Sequence, residues 1–95
     1  MPHDSSNEKT GTEDKFDPSI KILKRITRVL LEEGGIGRTA LSQRANISYS
    51  RLILHIEWLE RKGLIALVID RGKVKVVLTR SGGELAATLL ERSRQ

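Results

Sequence analysis

The sequence has no cysteine, which excludes disulfide bonds and thiolate metal sites. Its one Phe, one Tyr and one Trp are too few for the series of stacking rings that single-strand nucleic-acid binders carry. No apolar run approaches the roughly 20 residues of a membrane span, and the N-terminus is too polar for a signal peptide. We therefore expect no membrane contact and a cytoplasmic location, with stability supplied by packing, assembly or a bound partner.

Charge is unevenly distributed along a chain of 95 residues, which is long enough for one small domain. The formal net charge is +5, but residues 1–17 hold five of the 12 acids and only two of the 17 Lys and Arg residues. This segment is therefore net −3 and the remainder is net +8. A basic body of this kind favours a polyanion, and the scarcity of aromatic rings makes duplex DNA the expected partner.

The first 16 residues lack hydrophobic periodicity, so we expect a disordered acidic N-terminal tail over 1–16 and one domain over 17–95. Asp17 is the expected N-cap of a first helix, with Pro18 at its first position and Gly34 at its left-handed end. A basic stripe runs opposite the apolar face of this helix, and it is either simply solvated or in contact with phosphates. Its members are Lys21, Lys24, Arg25 and Arg28.

Two short helices joined by a tight turn follow the first helix. Thr39 is the expected N-cap of a helix that continues to about Arg44. Asn46 tolerates the left-handed conformation of a tight turn, and Ser48 is the expected cap of the next helix, which ends at Gly63.

The remaining sequence predicts a β-hairpin and a last helix. "LIALVID" and "VKVVLT" are rich in β-branched residues, and Gly72 between them suits a hairpin turn. Ile36 is the expected one-residue third strand, because an isolated hairpin is only marginally stable. Ser81 and Glu84 fit a capping box that begins a helix running to about Ser93. The predicted fold is α+β, mainly α: a winged helix-turn-helix.

Residues 19–91 resemble the archaeal winged helix-turn-helix DNA-binding domains. The most specific segments are "RTALSQRANISYSRL" and "LERKGLI", followed by the hairpin and "LTRSGGELAATL". The resemblance implies binding to double-stranded DNA, usually as a homodimer, in transcriptional regulation or chromosome organisation.

In helix-turn-helix docking, the N-terminal residues of the recognition helix, here 48–62, meet the base edges in the major groove. Tyr49, Ser50 and Arg51 are the expected reading residues, and Arg51 contacts either a guanine or only a phosphate. Arg71 and Lys73 lie at the tip of a wing, 70–74, which is expected to contact the minor groove or the DNA backbone. The full set of expected DNA contacts is Arg38, Thr39, Ser42, Arg44, Ser48, Tyr49, Ser50, Arg51, Arg71 and Lys73.

Leu54 and Trp58 are one helical turn apart on the side of the recognition helix that faces away from the core. Either the hairpin or the last helix covers them, or a second subunit does. The expected dimerisation residues are accordingly Leu54, Trp58, Leu85, Leu89 and Leu90.

The sequence gives little support to catalysis, and we expect neither an enzyme nor a cofactor nor a metal site. His3 lies in the tail and His55 borders an apolar face, where a packed imidazole is the expected role. The leading function is a double-stranded DNA-binding transcriptional regulator associated with the nucleoid. The alternatives are an architectural chromatin protein and a winged-helix protein-interaction module of the transcription machinery that uses Ile53, Leu54 and Trp58.

Overall fold

The computed structural model describes residues 16–93, so the predicted tail lies outside the described residues except for Phe16. The elements in chain order are α1 (Ile20–Glu33), α2 (Arg38–Ala45), α3 (Tyr49–Arg61), β1 (Ile65–Asp70), β2 (Lys73–Leu78) and α4 (Arg80–Ser93). This order confirms the mainly helical winged helix-turn-helix.

The expected left-handed residues end the first two helices. Gly34 follows α1 with a φ of 80°, and Asn46 follows α2 with a φ of 58°. Ser48 caps α3 as expected, since its side chain accepts the backbone N–H of Arg51. Asn46 and Ser48 lie in the turn between α2 and α3 and set the angle between these helices, which is the geometry on which a helix-turn-helix depends.

The predicted start of α1 is wrong by two residues. The helix begins at Ile20, and its cap is Ser19, whose hydroxyl accepts the backbone N–H of Ile22, instead of Asp17. The expected cap of α2 is also wrong, because Gly37 occupies that position without a side-chain hydrogen bond and Thr39 lies inside the first turn.

Thr79, instead of Ser81, caps α4. Its hydroxyl accepts the backbone N–H of Gly82 at 3.1 Å and donates to the Gly63 carbonyl at 2.7 Å. The second bond joins the start of α4 to the exit from α3, a contact that local sequence spacing does not reveal.

β1 and β2 form an antiparallel hairpin in register from Ile65 opposite Leu78 to Asp70 opposite Lys73. Arg71 and Gly72 make the two-residue turn, and both have positive φ, as a type I′ turn requires. Ile36 bridges Val76 through hydrogen bonds of 3.2 and 2.8 Å in the two directions, which confirms the one-residue third strand.

The core lies between α1 and the elements packed around it, namely α2, α4 and β2. Its largest fully buried apolar side chains are Ile26, Leu30, Leu41 and Val76 together with Leu52 and Leu59 of α3. Full burial of one such side chain contributes about 1.5–3 kcal/mol. α4 adds Leu89 to the core and packs Leu85 against it, so the apolar stripe of α4 is largely used within this chain.

Candidate nucleic-acid interface

The first turn of α3 presents polar side chains to solvent. Tyr49 is 47% exposed, and Ser50 and Arg51 are also exposed. The Ser48 hydroxyl accepts the Arg51 backbone N–H at 3.3 Å, which fixes the entry of the chain into the helix. By contrast, Leu52, Ile56 and Leu59 anchor the opposite face of α3 in the core. The helix therefore offers a rigid polar end to a partner.

His55 joins the middle of α3 to the start of α1. Its imidazole is buried, with Nε2 accepting the Ser19 backbone N–H at 3.1 Å and Nδ1 donating to the Arg51 carbonyl at 2.8 Å. A backbone N–H can only donate and a carbonyl can only accept, so these partners select the neutral ring with its proton on Nδ1. The Phe16 ring meets the imidazole edge-on at 5.1 Å. The expected packed histidine is therefore confirmed.

The four residues of α2 that are expected to contact DNA differ in how exposed and how free their side chains are. Arg38 is half-buried and Thr39 is exposed, and both lie in the first turn. Ser42 is buried, and its hydroxyl donates to the Thr39 carbonyl at 2.8 Å. Arg44 forms an ion pair with Glu33 and approaches Glu32 at 3.8 Å. The structure therefore turns Ser42 inward and compensates the charge of Arg44.

The wing tip carries exposed cations. Arg71 and Lys73 are exposed and have no ion pair among the described residues, whereas Lys75 lies 3.2 Å from Asp70. An apolar side chain accompanies them, since Ile69 is 77% exposed. The charge available to a polyanion at the wing thus comes from Arg71 and Lys73.

Leu54 and Trp58, expected to share one environment, have different ones. Trp58 is half-buried against this chain's own core, and the Lys62 ammonium lies 5.9 Å from its ring centroid, within cation–π range. Leu54 is 51% exposed. Of the other expected dimerisation residues, Leu89 is buried, and Leu85 and Leu90 are half-buried.

An open depression between α1 and α3 brings further cations to the start of the recognition helix. Its volume is about 480 Å³ and it is lined by Ser19, Lys21, Ile22, Arg25, Asn46, Ile47, Ser48 and Arg51. Arg25 also donates from Nη1 to the Asn46 carbonyl at 3.3 Å. The basic stripe was visible in the sequence, but which of its members reach α3 depends on how the helices pack.

Comparisons with known proteins agree with this geometry. Residues 21–66 match the family model described as winged helix-turn-helix DNA-binding. The comparison with curated proteins found no match.

Three solved structures illustrate the structural similarity. A MarR family transcriptional regulator from Silicibacter pomeroyi is 24% identical, with a TM-score of 0.67 over 80% of this chain and 54% of its own. The transcriptional regulator BldR from Sulfolobus solfataricus is also 24% identical, with a TM-score of 0.69 over 77% of this chain and 54% of its own. Sso10a-2, a DNA-binding protein from Sulfolobus solfataricus, is 19% identical, with a TM-score of 0.70 over 82% and 80%.

The chain thus spans about half the length of the two regulators. At these identities the structures establish a common fold, and the family match over residues 21–66 agrees with that fold. A match to a DNA-binding family is in agreement with the expectation that the chain is not an enzyme. Within residues 16–93, no helix combines the length and hydropathy needed to cross a membrane.

Proposed function

We propose that this protein is a double-stranded DNA-binding transcriptional regulator. The recognition helix, 48–62, lies in the major groove, and the wing, 70–74, contacts the minor groove or the backbone. The observation that carries the proposal is the exposed polar first turn of α3, held in place by an opposite face that is buried in the core. A groove-reading helix needs this combination, because its side chains must be positioned before they meet the bases.

The proposed contacts fall into three groups. Tyr49, Ser50 and Arg51 face the groove from α3, and Arg71 and Lys73 contact DNA from the wing. Backbone contacts come from Arg38, Thr39 and Ser48. Ser42 is left out because its hydroxyl is buried and already donating, and Arg44 contributes weakly because two carboxylates compensate its charge.

The proposal includes a homodimer associated with the nucleoid, as the resemblance to archaeal winged-helix domains implies. Similar structures come from Sulfolobus solfataricus and from other organisms, so the archaeal type rests on the sequence resemblance. Leu54 follows Ser50 by four residues and therefore shares its face, so we assign Leu54 to the groove side of α3. Of the expected dimerisation residues, this leaves Leu90 of α4 as the one that is neither assigned to DNA nor packed in or against the core cluster.

An architectural role is the second candidate, because the match to the DNA-binding protein Sso10a-2 extends over 80% of that chain. The interaction-module alternative has less support. Trp58, which would anchor its apolar patch, packs instead against this chain's own core.

The test of the proposal is selection of bound duplexes from a random library at physiological salt, followed by binding measurements across a salt series. A regulator is expected to prefer its selected site over random duplex by about a thousandfold or more, whereas an architectural protein shows little preference. Four phosphate contacts per subunit contribute about −3.6 to the slope of log affinity against log salt, which makes about −7.2 for the proposed homodimer. A flat salt response at constant protein concentration contradicts both DNA-binding roles.

A triple variant and a single-substitution control separate DNA binding from protein interaction. Replacing Arg51, Arg71 and Lys73 with Gln is expected to abolish duplex binding while the circular dichroism spectrum is retained. The control is Arg80→Gln, which removes one exposed charge outside the proposed interface. Unchanged duplex binding in the triple variant favours the interaction module.

A further inference from the structure

The depression between α1 and α3, called here the α1–α3 depression, concentrates positive charge beside the reading end of α3. Lys21 and Arg25 reach it from α1, and Arg51 reaches it from α3. None of its lining residues is acidic. Three like charges around one open volume repel one another, so an anion placed between them relieves the repulsion and binds favourably.

One hydrogen bond restrains the Arg25 side chain before any anion arrives. Its Nη1 donates to the Asn46 carbonyl, which belongs to the left-handed turn between α2 and α3. An arginine held in this way loses less side-chain entropy on binding than a free one. The first backbone N–H groups of α3, at the same end of the helix, add further positive potential.

A neighbouring depression provides an internal comparison. It has a volume of about 340 Å³ and is lined by Arg25, Arg28, Val29, Glu32, Arg44, Ala45 and Asn46. Here Glu32 lies in the lining and Arg44 is paired with Glu33 as well. The cations of the second depression are therefore partly neutralised within the protein, and the α1–α3 depression is the stronger anion site.

We propose that the α1–α3 depression holds one backbone phosphate of the DNA strand that borders the major groove. Lys21, Arg25 and Arg51 contact this phosphate. The inference rests on the proposed function, because Ser48 and Arg51 at the rim begin the helix that enters the groove. Under this inference Arg51 contacts a phosphate and not a guanine. Base reading is then left to Tyr49, Ser50 and Leu54.

The first test is the salt dependence of duplex binding by the double variant in which Lys21 and Arg25 are both replaced with Gln. The variant is expected to bind about tenfold more weakly per subunit. Its salt slope should be shallower by about 0.9 per subunit, the value for one phosphate, although two charges are removed. The control is the single variant Arg80→Gln, which should keep the wild-type slope. Thermal melting verifies that every variant is folded.

The second test identifies the phosphate directly. Methylphosphonate linkages, which are uncharged, are placed one at a time along the bound duplex. Each position whose phosphate is contacted is expected to weaken wild-type binding. In each half-site, one of these positions should have no further effect on the double variant. The conservative variant Arg25→Lys should keep part of the wild-type sensitivity to the uncharged linkage at that position, because the positive charge of residue 25 is kept.

The outcomes separate this inference from the proposed function. If the wild-type protein does not bind duplex DNA, the proposed function fails. If it binds with a steep slope and the double variant matches the Arg80→Gln control, only the phosphate site fails. The inference is also overturned if Arg51→Gln relaxes selectivity at a single base pair, since loss of a phosphate contact should weaken all sequences equally.

Discussion

Arg71 has a backbone conformation that arginine rarely adopts. Its φ is 54°, in the left-handed region, and it precedes Gly72, whose φ is 79°. A type I′ turn requires positive φ at both positions, and Asn-Gly is its preferred sequence. For a non-glycine residue other than Asn or Asp, this conformation raises the free energy of the folded state by about 1 kcal/mol or more. The wing therefore carries a cation at a position where stability alone would favour asparagine.

The substitution Arg71→Asn is expected to separate stability from binding. The free energy of unfolding should rise by up to about 1 kcal/mol, because asparagine tolerates the left-handed region. Duplex affinity should fall, with a salt slope shallower by about 0.9 per subunit. Denaturant titration and a salt series of binding measurements give the two quantities. An unchanged slope would show that the wing tip does not contact DNA.

Gly82, in the first turn of α4, lies where this helix packs closely on the segment between α3 and β1. A Cβ built at this position would lie 1.8 Å from the carbonyl oxygen of Leu64, a backbone atom that cannot move aside cheaply. Gly83, the next residue, has open space at the same point. The hydroxyl of Thr79 completes this junction by bonding both Gly63 and Gly82.

The adjacent glycines make a matched pair of variants. Gly82→Ala is expected to destabilise the protein by about 2 kcal/mol or more, because α4 must move away from Leu64. Gly83→Ala should instead stabilise it by about 0.5–1 kcal/mol, because alanine has the higher helix propensity. Chemical denaturation of the two variants measures the difference. Equal effects would contradict the close packing of α4 on the exit from α3.

Sequence reasoning predicted the elements that depend on local chemistry. Gly34, Asn46, Ser48 and Gly72 act through their own backbone or their own turn, so their roles can be deduced without the rest of the fold. Thr79 was missed because its choice over Ser81 as a cap depends on a bond to Gly63, 16 residues away. A capping motif considers only residues that are close in sequence, so it cannot include a partner as distant as Gly63.

The candidate site likewise has a part that local sequence predicts and a part that depends on how the helices pack. The polar start of α3 and the wing cations were predictable, because each lies beside a recognisable turn. The α1–α3 depression was not, since Lys21 and Arg51 are brought together only by the packing of α1 against the helix-turn-helix. The same limit explains why the environments of Leu54 and Trp58 could not be distinguished from the sequence. Both residues lie on the side of α3 that faces away from the core, and their positions along the helix do not show which of them packs against the rest of the chain.

At the scale of the whole molecule, the assembly depends on which apolar surface stays uncovered. Leu85 and Leu89 of α4 are engaged with the core, and so is Trp58 of α3. Leu54 remains half-exposed on the same face as Ser50, which is proposed to read the bases. One side chain cannot lie both in a DNA groove and in a subunit interface, so these two placements of Leu54 exclude each other.

A pair of substitutions on α3 tests the placement of Leu54. Leu54→Ser is expected to change the free energy of unfolding by only about 0.5 kcal/mol, to leave the mass in solution unchanged, and to weaken duplex binding. Trp58→Ala should lower stability by about 2 kcal/mol, because it removes packing against the core. Analytical ultracentrifugation and denaturation provide the measurements. A halved mass for Leu54→Ser would show that α3 forms a subunit interface and would contradict its place in the groove.

The two hydrogen bonds between Ile36 and Val76 have a consequence for the thermodynamics of recognition. Together with Thr79, they attach the base of the wing to the segments on either side of the helix-turn-helix before any DNA is present. The spacing between α3 and the wing is then set during folding, and its entropic cost falls on the folding equilibrium instead of on the proposed DNA binding. The heat-capacity change on association should accordingly reflect the buried interface alone, without the larger contribution of a wing that folds onto its target.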